Sequence, residues 1–455
     1  MSTFLLAALA LAVPAAAQQA PEPTPHQRAI AAGYKAAMLC SGIFNAGRTP
    51  EQVEALELTG IYPDYQALVG LPAKVDSSRR LVTVEWADAM PPRRAQWRPG
   101  TGCTNEPIGA VAPHAATSYP PLAAAQPDPR PWPQGDAIPA IRTPRALEPV
   151  VAAAFDGTSY RAGSRTTGVI VLRDGHIVAE RYAPGFGPLV SNRTWSVAKS
   201  ISGTLVGIAV RDGLVRVDRA ARIPAWADEP PGDVRRTITL DHLLRMASGL
   251  HSDTAGNRTD EVYFGGTAVT EETVGWPSIA RPGTRFRYAN NDTMLAMLSL
   301  RTAMGDARYR DFPAKGLFEP LGMARTVAET DWRGNYILSS QVWSTARDLA
   351  RLGELWRNDG VWQGKRVLPE GWVKYMTTPS GPQPAGDGPG YGATLWLFGP
   401  KQGLPEGSYA AQGNRGQFIF VIPSAKLVVV RRGEDPAGNA FEAPRFVADV
   451  LKALE

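Results

Sequence analysis

The sequence predicts an α/β chain of the α+β type, with an antiparallel sheet flanked by helices and an all-helical lobe inserted between its strands. Asp174-Gly175 joins two alternating runs, Gly168–Arg173 and His176–Tyr182, as a two-residue hairpin, so the first strands are antiparallel. From Ala220 to Asp331 helical spacing and loops dominate, with almost no β-alternation. Strand-like runs return at Thr394–Phe398, Gln417–Ile422 and Leu427–Arg432, and an amphipathic helix, Pro444–Leu454, closes the chain.

Composition excludes several classes of protein. The 455 residues are 44% hydrophobic and 20% charged, the balance of a folded chain with more than one domain. The net charge of +5 is scattered arginine rather than a basic run, which gives a nucleic-acid partner no support. Phe4 to Ala16 is an apolar run too short to span a bilayer, and Ala15-Ala16-Ala17 follows as a small-residue site. Although Met1-Ser2-Thr3 carries no basic residue, the pattern predicts a signal peptide over 1–17, cleaved after Ala17, and a periplasmic or secreted product. No later run is long enough for a membrane span. In an oxidising compartment the two cysteines, Cys40 and Cys103, predict one disulfide, worth about 4 kcal/mol in the chain-entropy model. His26, His114, His176, His242 and His251 show no metal-ligand spacing, so no metal and no other cofactor is expected.

Taken in order, residues 18–112 read as a small α+β accessory region with a helix over Gln27–Ser41 and strands at Arg79–Val84 and Arg94–Arg98. Residues 113–146 are proline-rich and predict an extended linker. Residues 147–455 form the remaining domain, which begins with a helix at Glu148–Asp156 and the hairpin. Trp195–Asp212 then reads as a buried helix, with Ile201, Leu205, Ile208 and Ala209 on one stripe and Gly213 as its stop. Thr239 caps a packed helix ending at Gly249, and Thr293–Leu300 forms another. Thr345-Ala346-Arg347-Asp348 opens a helix running to Trp356, and Gly360–Val367 reads as a turn and short strand.

Chemistry concentrates in three places. Ser196 and Lys199 are one helical turn apart, which brings hydroxyl and amine within reach of each other. Apolar surroundings disfavour an ammonium, so a neutral Lys199 can activate the serine without histidine. Tyr288 and Asn290 stand two apart on extended chain before a helix and therefore share a side; a phenol can shuttle a proton and a carboxamide can hold a substrate amide. Gly413-Asn414-Arg415-Gly416-Gln417 precedes a strand, where glycines permit close approach of a ligand or backbone. Each match alone is also what a packed tyrosine, a capping asparagine or a glycine-containing loop would show. The chain has no Gly-x-Ser-x-Gly, which argues against a nucleophile elbow.

In this order the three motifs resemble those of the serine β-lactamase and penicillin-binding-protein superfamily, particularly its class C branch. His242-Leu243-Leu244-Arg245-Met246-Ala247-Ser248-Gly249-Leu250, Ser344-Thr345-Ala346-Arg347-Asp348-Leu349-Ala350 and Leu368-Pro369-Glu370-Gly371-Trp372 are similar to recurrent stretches of that branch. From about Arg145 onward the chain looks most like the 6-aminohexanoate-dimer hydrolase and carboxylesterase-like members. The resemblance implies an active site between sheet and helical lobe, with Ser196 as the acylated nucleophile and Lys199 and Tyr288 as the proton-transfer pair. It also implies an oxyanion hole from the N–H groups of Ser196 and Gln417, with Asn290, Asn414, Arg415 and Gly416 facing substrate. Where penicillin-recognising relatives carry Lys-Thr/Ser-Gly, this chain has Asn414-Arg415-Gly416. That departure weakens β-lactam carboxylate recognition unless Arg415 curls into the cleft.

The reading that follows is an exported serine hydrolase acting on a small-molecule ester or amide. A β-lactamase or D-alanyl-D-alanine carboxypeptidase is the catalytic alternative, and a non-catalytic ligand-binding sensor of the same fold is the other.

Overall fold

In the computed structural model, which describes residues 22–110, 117–122, 125–138, 140–252 and 259–455, seven antiparallel strands form the main sheet. Their spatial order is Gly390–Tyr391, Trp396–Phe398, Ser408–Gly413, Gln417–Ile422, Leu427–Gly433, Thr166–Arg173 and His176–Tyr182. The late strand Leu427–Gly433 thus pairs with the early hairpin, Val429 opposite Val171. Ile419, Val421, Val428 and Val430 pack in one cluster with the helices Val197–Arg211 and Ala346–Arg357. Their neighbours Phe420, Ile422, Leu427 and Val429 pack in another with Leu147–Ala153 and Ala443–Leu454. Alternation therefore buries both faces of the sheet, each such side chain contributing roughly 1.5–3 kcal/mol.

The helical lobe stands between the hairpin and the C-terminal strands, and its longest helix, Asn290–Met304, shares a core with Val197–Arg211 through Leu295, Leu205 and Ile208. Several boundaries differ from the sequence expectation for local reasons. The helix after Thr239 is only Leu240–Leu244, because Met246 turns to a left-handed conformation at φ +58. Thr394 does the same at φ +67, so the next strand starts at Trp396. Gly360–Val367 holds a complete hairpin, Val361–Trp362 against Lys365–Arg366. A short strand, Val327–Ala328, lies within the stretch expected to be helical and pairs with Val342–Ser344.

The N-terminal helix, Pro25–Phe44, starts at a Thr24–Gln27 capping box and packs on a four-stranded meander. Two of the meander's strands, Ala73–Asp76 and Gly102–Asn105, are only four residues long, too short for an apolar pattern to announce them. Cys40 on the helix is bonded to Cys103 on the last strand, with Cα atoms 6.0 Å apart. This region is built into the rest of the molecule: Tyr34 and Tyr65 share a core with Trp195, Phe264, Met294 and Trp343. Nearby, the buried Glu329 carboxylate accepts from Ser41 Oγ at 2.6 Å, Asn45 Nδ2 at 2.8 Å and the Cys103 N–H at 3.1 Å. Burial pushes Glu329 up to about 7.

Within the proline-rich segment, residues 128–137 fold back on themselves, with the Trp132 N–H donating to the Ala137 carbonyl and the Gly135 N–H to that of Pro131, and this turn is pinned to the domain surface. Arg351 donates to the carbonyls of Pro133 and Gly135, Trp132 Nε1 to that of Gly175, and Arg325 to the Asp136 carboxylate. The cleavage site expected after Ala17, together with His114, lies outside the described residues. Among the described residues no helix is long and apolar enough to cross a membrane, and no cluster of His, Cys, Asp and Glu is arranged to hold a metal.

Candidate active site

Trp195 adopts a left-handed backbone at φ +50, a costly conformation for a large side chain. The Arg193 guanidinium, stacked 3.8 Å from its ring centre, holds it there. The resulting corner delivers Ser196 to the start of the helix Val197–Arg211. Ser196 sits at the cap position, yet its hydroxyl makes no capping bond. It meets Lys199 instead, with Nζ 3.1 Å from Oγ.

Lys199 is buried to within 1% of its surface. Its amine also reaches Asn290 Oδ1 at 2.7 Å and the Ser339 carbonyl at 2.9 Å. Burial alone pulls its pKa down to about 7. Ser339 is in turn bonded through its hydroxyl to Tyr263 Oη at 2.6 Å. Neither Tyr263 nor Ser339 was expected from the sequence, and for Ser339 the working atom is a backbone carbonyl, which no residue type announces.

Tyr288 and Asn290 come from the lobe and both face Lys199. Ala289 between them is extended (φ −140, ψ 132), and the helix begins at Asn290. The Tyr288 ring centre is 4.8 Å from Lys199 Nζ. Packing against Tyr391 and Trp396 fixes the ring. Burial pushes the phenol up to about 12, against the opposing effect of a hydrogen bond with Ser196. At neutral pH it is therefore a proton donor. Asn290, expected to hold a substrate amide, spends its oxygen on Lys199.

The third motif is arranged differently from the expectation. Asn414–Gly416 is a tight turn joining Ser408–Gly413 to Gln417–Ile422, with Arg415 at its left-handed corner (φ 56, ψ 28), so strand alternation does not apply. Arg415 is buried, and its guanidinium donates to the carbonyls of Leu56, Glu57, Thr59, Glu434 and Asp435. It lies 3.3 Å from the Glu434 carboxylate. This charge is committed to the fold and does not replace the missing lysine. Gly416, at φ +80, has no room for a side chain beside Arg431 and Asp435. The Gln417 side chain is buried between the Arg415 and Gly433 carbonyls and the Arg432 guanidinium.

The strand edge that reaches Ser196 is the preceding one. Of the strand Ser408–Gly413, Trp396–Phe398 covers residues 408–410, which leaves the edge from Ala411 to Gly413 beside the nucleophile. A Cβ on Gly413 would collide with the Thr194 carbonyl and lie 3.1 Å from the Ser196 nitrogen. The backbone that abuts the Ser196 N–H is thus that of Gly413, whereas the sequence expectation paired this N–H with that of Gln417. The strand was missed because Ser408-Tyr409-Ala410-Ala411-Gln412-Gly413 lacks an apolar period.

These groups open onto a cavity of about 410 Å³. Its lining includes Ser196, Tyr288, Asn290, Gln412, Gly413 and Asn414, with aromatic walls from Trp195, Phe264, Trp396, Phe418 and Phe441. Tyr62, from the N-terminal region, also lines it.

Comparison with known proteins agrees with this fold. The Beta-lactamase family profile matches residues 151–452. A curated relative, the 6-aminohexanoate-dimer hydrolase of Paenarthrobacter ureafaciens, is 27% identical over 326 residues, covering 64% of this chain and 79% of the relative. Among solved structures, a class C β-lactamase superposes with a TM-score of 0.52 at 14% identity, covering 68% of this chain and 96% of that one. EstCE1, a hydrolase with promiscuous acyltransferase activity, superposes with a TM-score of 0.52 at 16% identity, covering 68% and 98%. The chain belongs to the Beta-lactamase family, as a hydrolase of that fold.

Proposed function

We propose that the protein is an exported serine hydrolase that cleaves uncharged esters and small amides through an acyl-enzyme on Ser196. The surroundings of Lys199 carry this reading. Asn290 Oδ1 and the Ser339 carbonyl only accept hydrogen bonds, so they use the two N–H groups of a neutral amine and leave its lone pair for the Ser196 hydroxyl. Ser196 Oγ attacks the substrate carbonyl as its proton passes to Lys199. The Ser196 N–H and the backbone edge at Gly413 frame the oxyanion. As the tetrahedral intermediate collapses, the Tyr288 phenol gives its proton to the leaving oxygen or nitrogen, and Lys199 returns a proton to Tyr288. Water then attacks the acyl-enzyme by the reverse relay and frees Ser196.

The amide-hydrolase name of the curated relative and the hydrolase title of EstCE1 support acyl transfer as the chemistry. Neutral substrates are favoured over β-lactams because the third motif offers a carboxylate no cation, and charge-assisted hydrogen bonds are roughly twice as strong as neutral ones. Export rests on the apolar N-terminal run and the Cys40–Cys103 bond. Intact mass spectrometry after exposure to a fluorophosphonate, and separately to a penicillin, tests the reading. The fluorophosphonate should label wild type and not Ser196→Ala, and a p-nitrophenyl ester should show higher kcat/KM than a chromogenic cephalosporin. Labelling that persists in Ser196→Ala, or a preference for the cephalosporin, would contradict it.

A further inference from the structure

The family match begins at residue 151, yet the cavity that holds Ser196 has one wall from outside that match. Tyr62 lines it, and its hydroxyl accepts a hydrogen bond from Asn414 Nδ2 at 2.8 Å. Asn414 Oδ1 in turn accepts from the Arg415 N–H at 2.9 Å, so the carboxamide is held at both ends. Asn414 directly follows Gly413, the residue that abuts the Ser196 nitrogen. Tyr62 is thereby tied to the strand edge that passes the nucleophile.

The segment carrying Tyr62 is seated firmly. Arg415 grips the carbonyls of Leu56, Glu57 and Thr59, and the Ala437 N–H reaches the Gly60 carbonyl at 2.6 Å. The Gly60 N–H is held by Gln66 Oε1 at 2.8 Å. Pro63 restricts Tyr62 to the extended conformation it adopts (φ −55, ψ 137). A buried arginine of the hydrolase turn thus fixes an N-terminal loop that places the half-buried phenol of Tyr62 in the cleft wall.

We infer that Tyr62 is a specificity-determining residue, through which the N-terminal region completes the substrate cleft and selects uncharged substrates carrying an aryl group next to the scissile ester or amide. The inference rests on the acyl-enzyme reading above. Its chemistry follows from the aromatic part of the lining, where Tyr62 stands with Trp195, Phe264, Phe418 and Phe441; Asp260 and Arg415, the latter committed to backbone carbonyls, also line the cavity. Ring faces reward a flat apolar group, aromatic pairs adding about 0.5–1.5 kcal/mol beyond area burial.

The test compares ethyl butyrate with ethyl phenylacetate, whose aryl group is on the acyl side, and benzyl butyrate, whose aryl group is on the alcohol side. In wild type at least one aryl ester should have the higher kcat/KM. In Tyr62→Leu that preference should fall about 10-fold, carried by KM rather than kcat, whereas Tyr62→Phe, which keeps the ring, should retain most of it. An aryl-to-alkyl ratio unchanged in Tyr62→Leu for both aryl esters overturns the inference. If Tyr62→Leu does not fold, Tyr62→Ile, which also removes the ring and suits the extended backbone before Pro63, gives the same reading: the ratio should fall about 3-fold or more, and an unchanged ratio overturns the inference. Ser196→Ala, assayed alongside, separates the two ideas. Turnover surviving in it overturns the acyl-enzyme reading and this inference together; an inactive Ser196→Ala with unmoved Tyr62 ratios overturns this inference alone.

Discussion

A lysine amine taken out of water needs either a carboxylate or a reason to be neutral, and Lys199 has two carbonyl oxygens and a serine hydroxyl. Its pKa of about 7 lies well below the ordinary lysine value, so the neutral, active form is populated above that pH and lost below it. For a neutral ester kcat/KM should therefore rise with pH through about 7 and level off above it, as a pH-rate series will show. Lys199→Ala should cost roughly 10²–10⁴-fold or more in kcat, because it removes the base that also holds the hydroxyl. Tyr288, pushed up to about 12, remains a phenol across that range and suits the acid role. At this scale the Ser196/Lys199 pair was legible, since three residues on a helix fix a side-chain neighbourhood regardless of the fold around it. The Ser339 carbonyl and the Tyr263 hydroxyl behind it were not, because they arrive from elements remote in sequence.

Among the elements, the strand Ser408–Gly413 and the turn after it decide the geometry of the nucleophile. Gly413→Ala tests this: the added carbon meets the Thr194 carbonyl and crowds the Ser196 nitrogen, both backbone atoms with no flexible end to yield. Kcat should drop on the order of 10²-fold, the cost of spoiling one oxyanion donor. Far-UV circular dichroism should be unchanged. The helices Val197–Arg211 and Ala346–Arg357 and the Thr166–Tyr182 hairpin were readable from caps, stripes and Asp174-Gly175. The third motif spans a turn, with Gly413 and Gln417 paired across it, and the sequence shows no sign that Gly413 is the residue that abuts the Ser196 nitrogen.

Across the whole molecule, the N-terminal region and the hydrolase fold share a core and a set of buried polar contacts. Ser41 meets Glu329 across 288 residues of sequence and Arg415 meets Glu57 across 358, separations that leave no local pattern to read. The cysteine pair was legible, but not its consequence. The Cys40–Cys103 bond joins the helix and strand that supply donors to Glu329, so a Cys40→Ser/Cys103→Ser variant should lose about 4 kcal/mol of stability. Denaturant unfolding measured with and without the bond checks this, and equal midpoints would show that the region is held by packing alone.

Acid-quenched mass spectrometry during turnover of p-nitrophenyl acetate tests the central claim most directly. Wild type should carry one acetyl group during steady state, on the peptide that contains Ser196, and Ser196→Ala should carry none and lose turnover. An acetyl group on any other residue, or turnover in Ser196→Ala near that of wild type, would contradict an acyl-enzyme at Ser196.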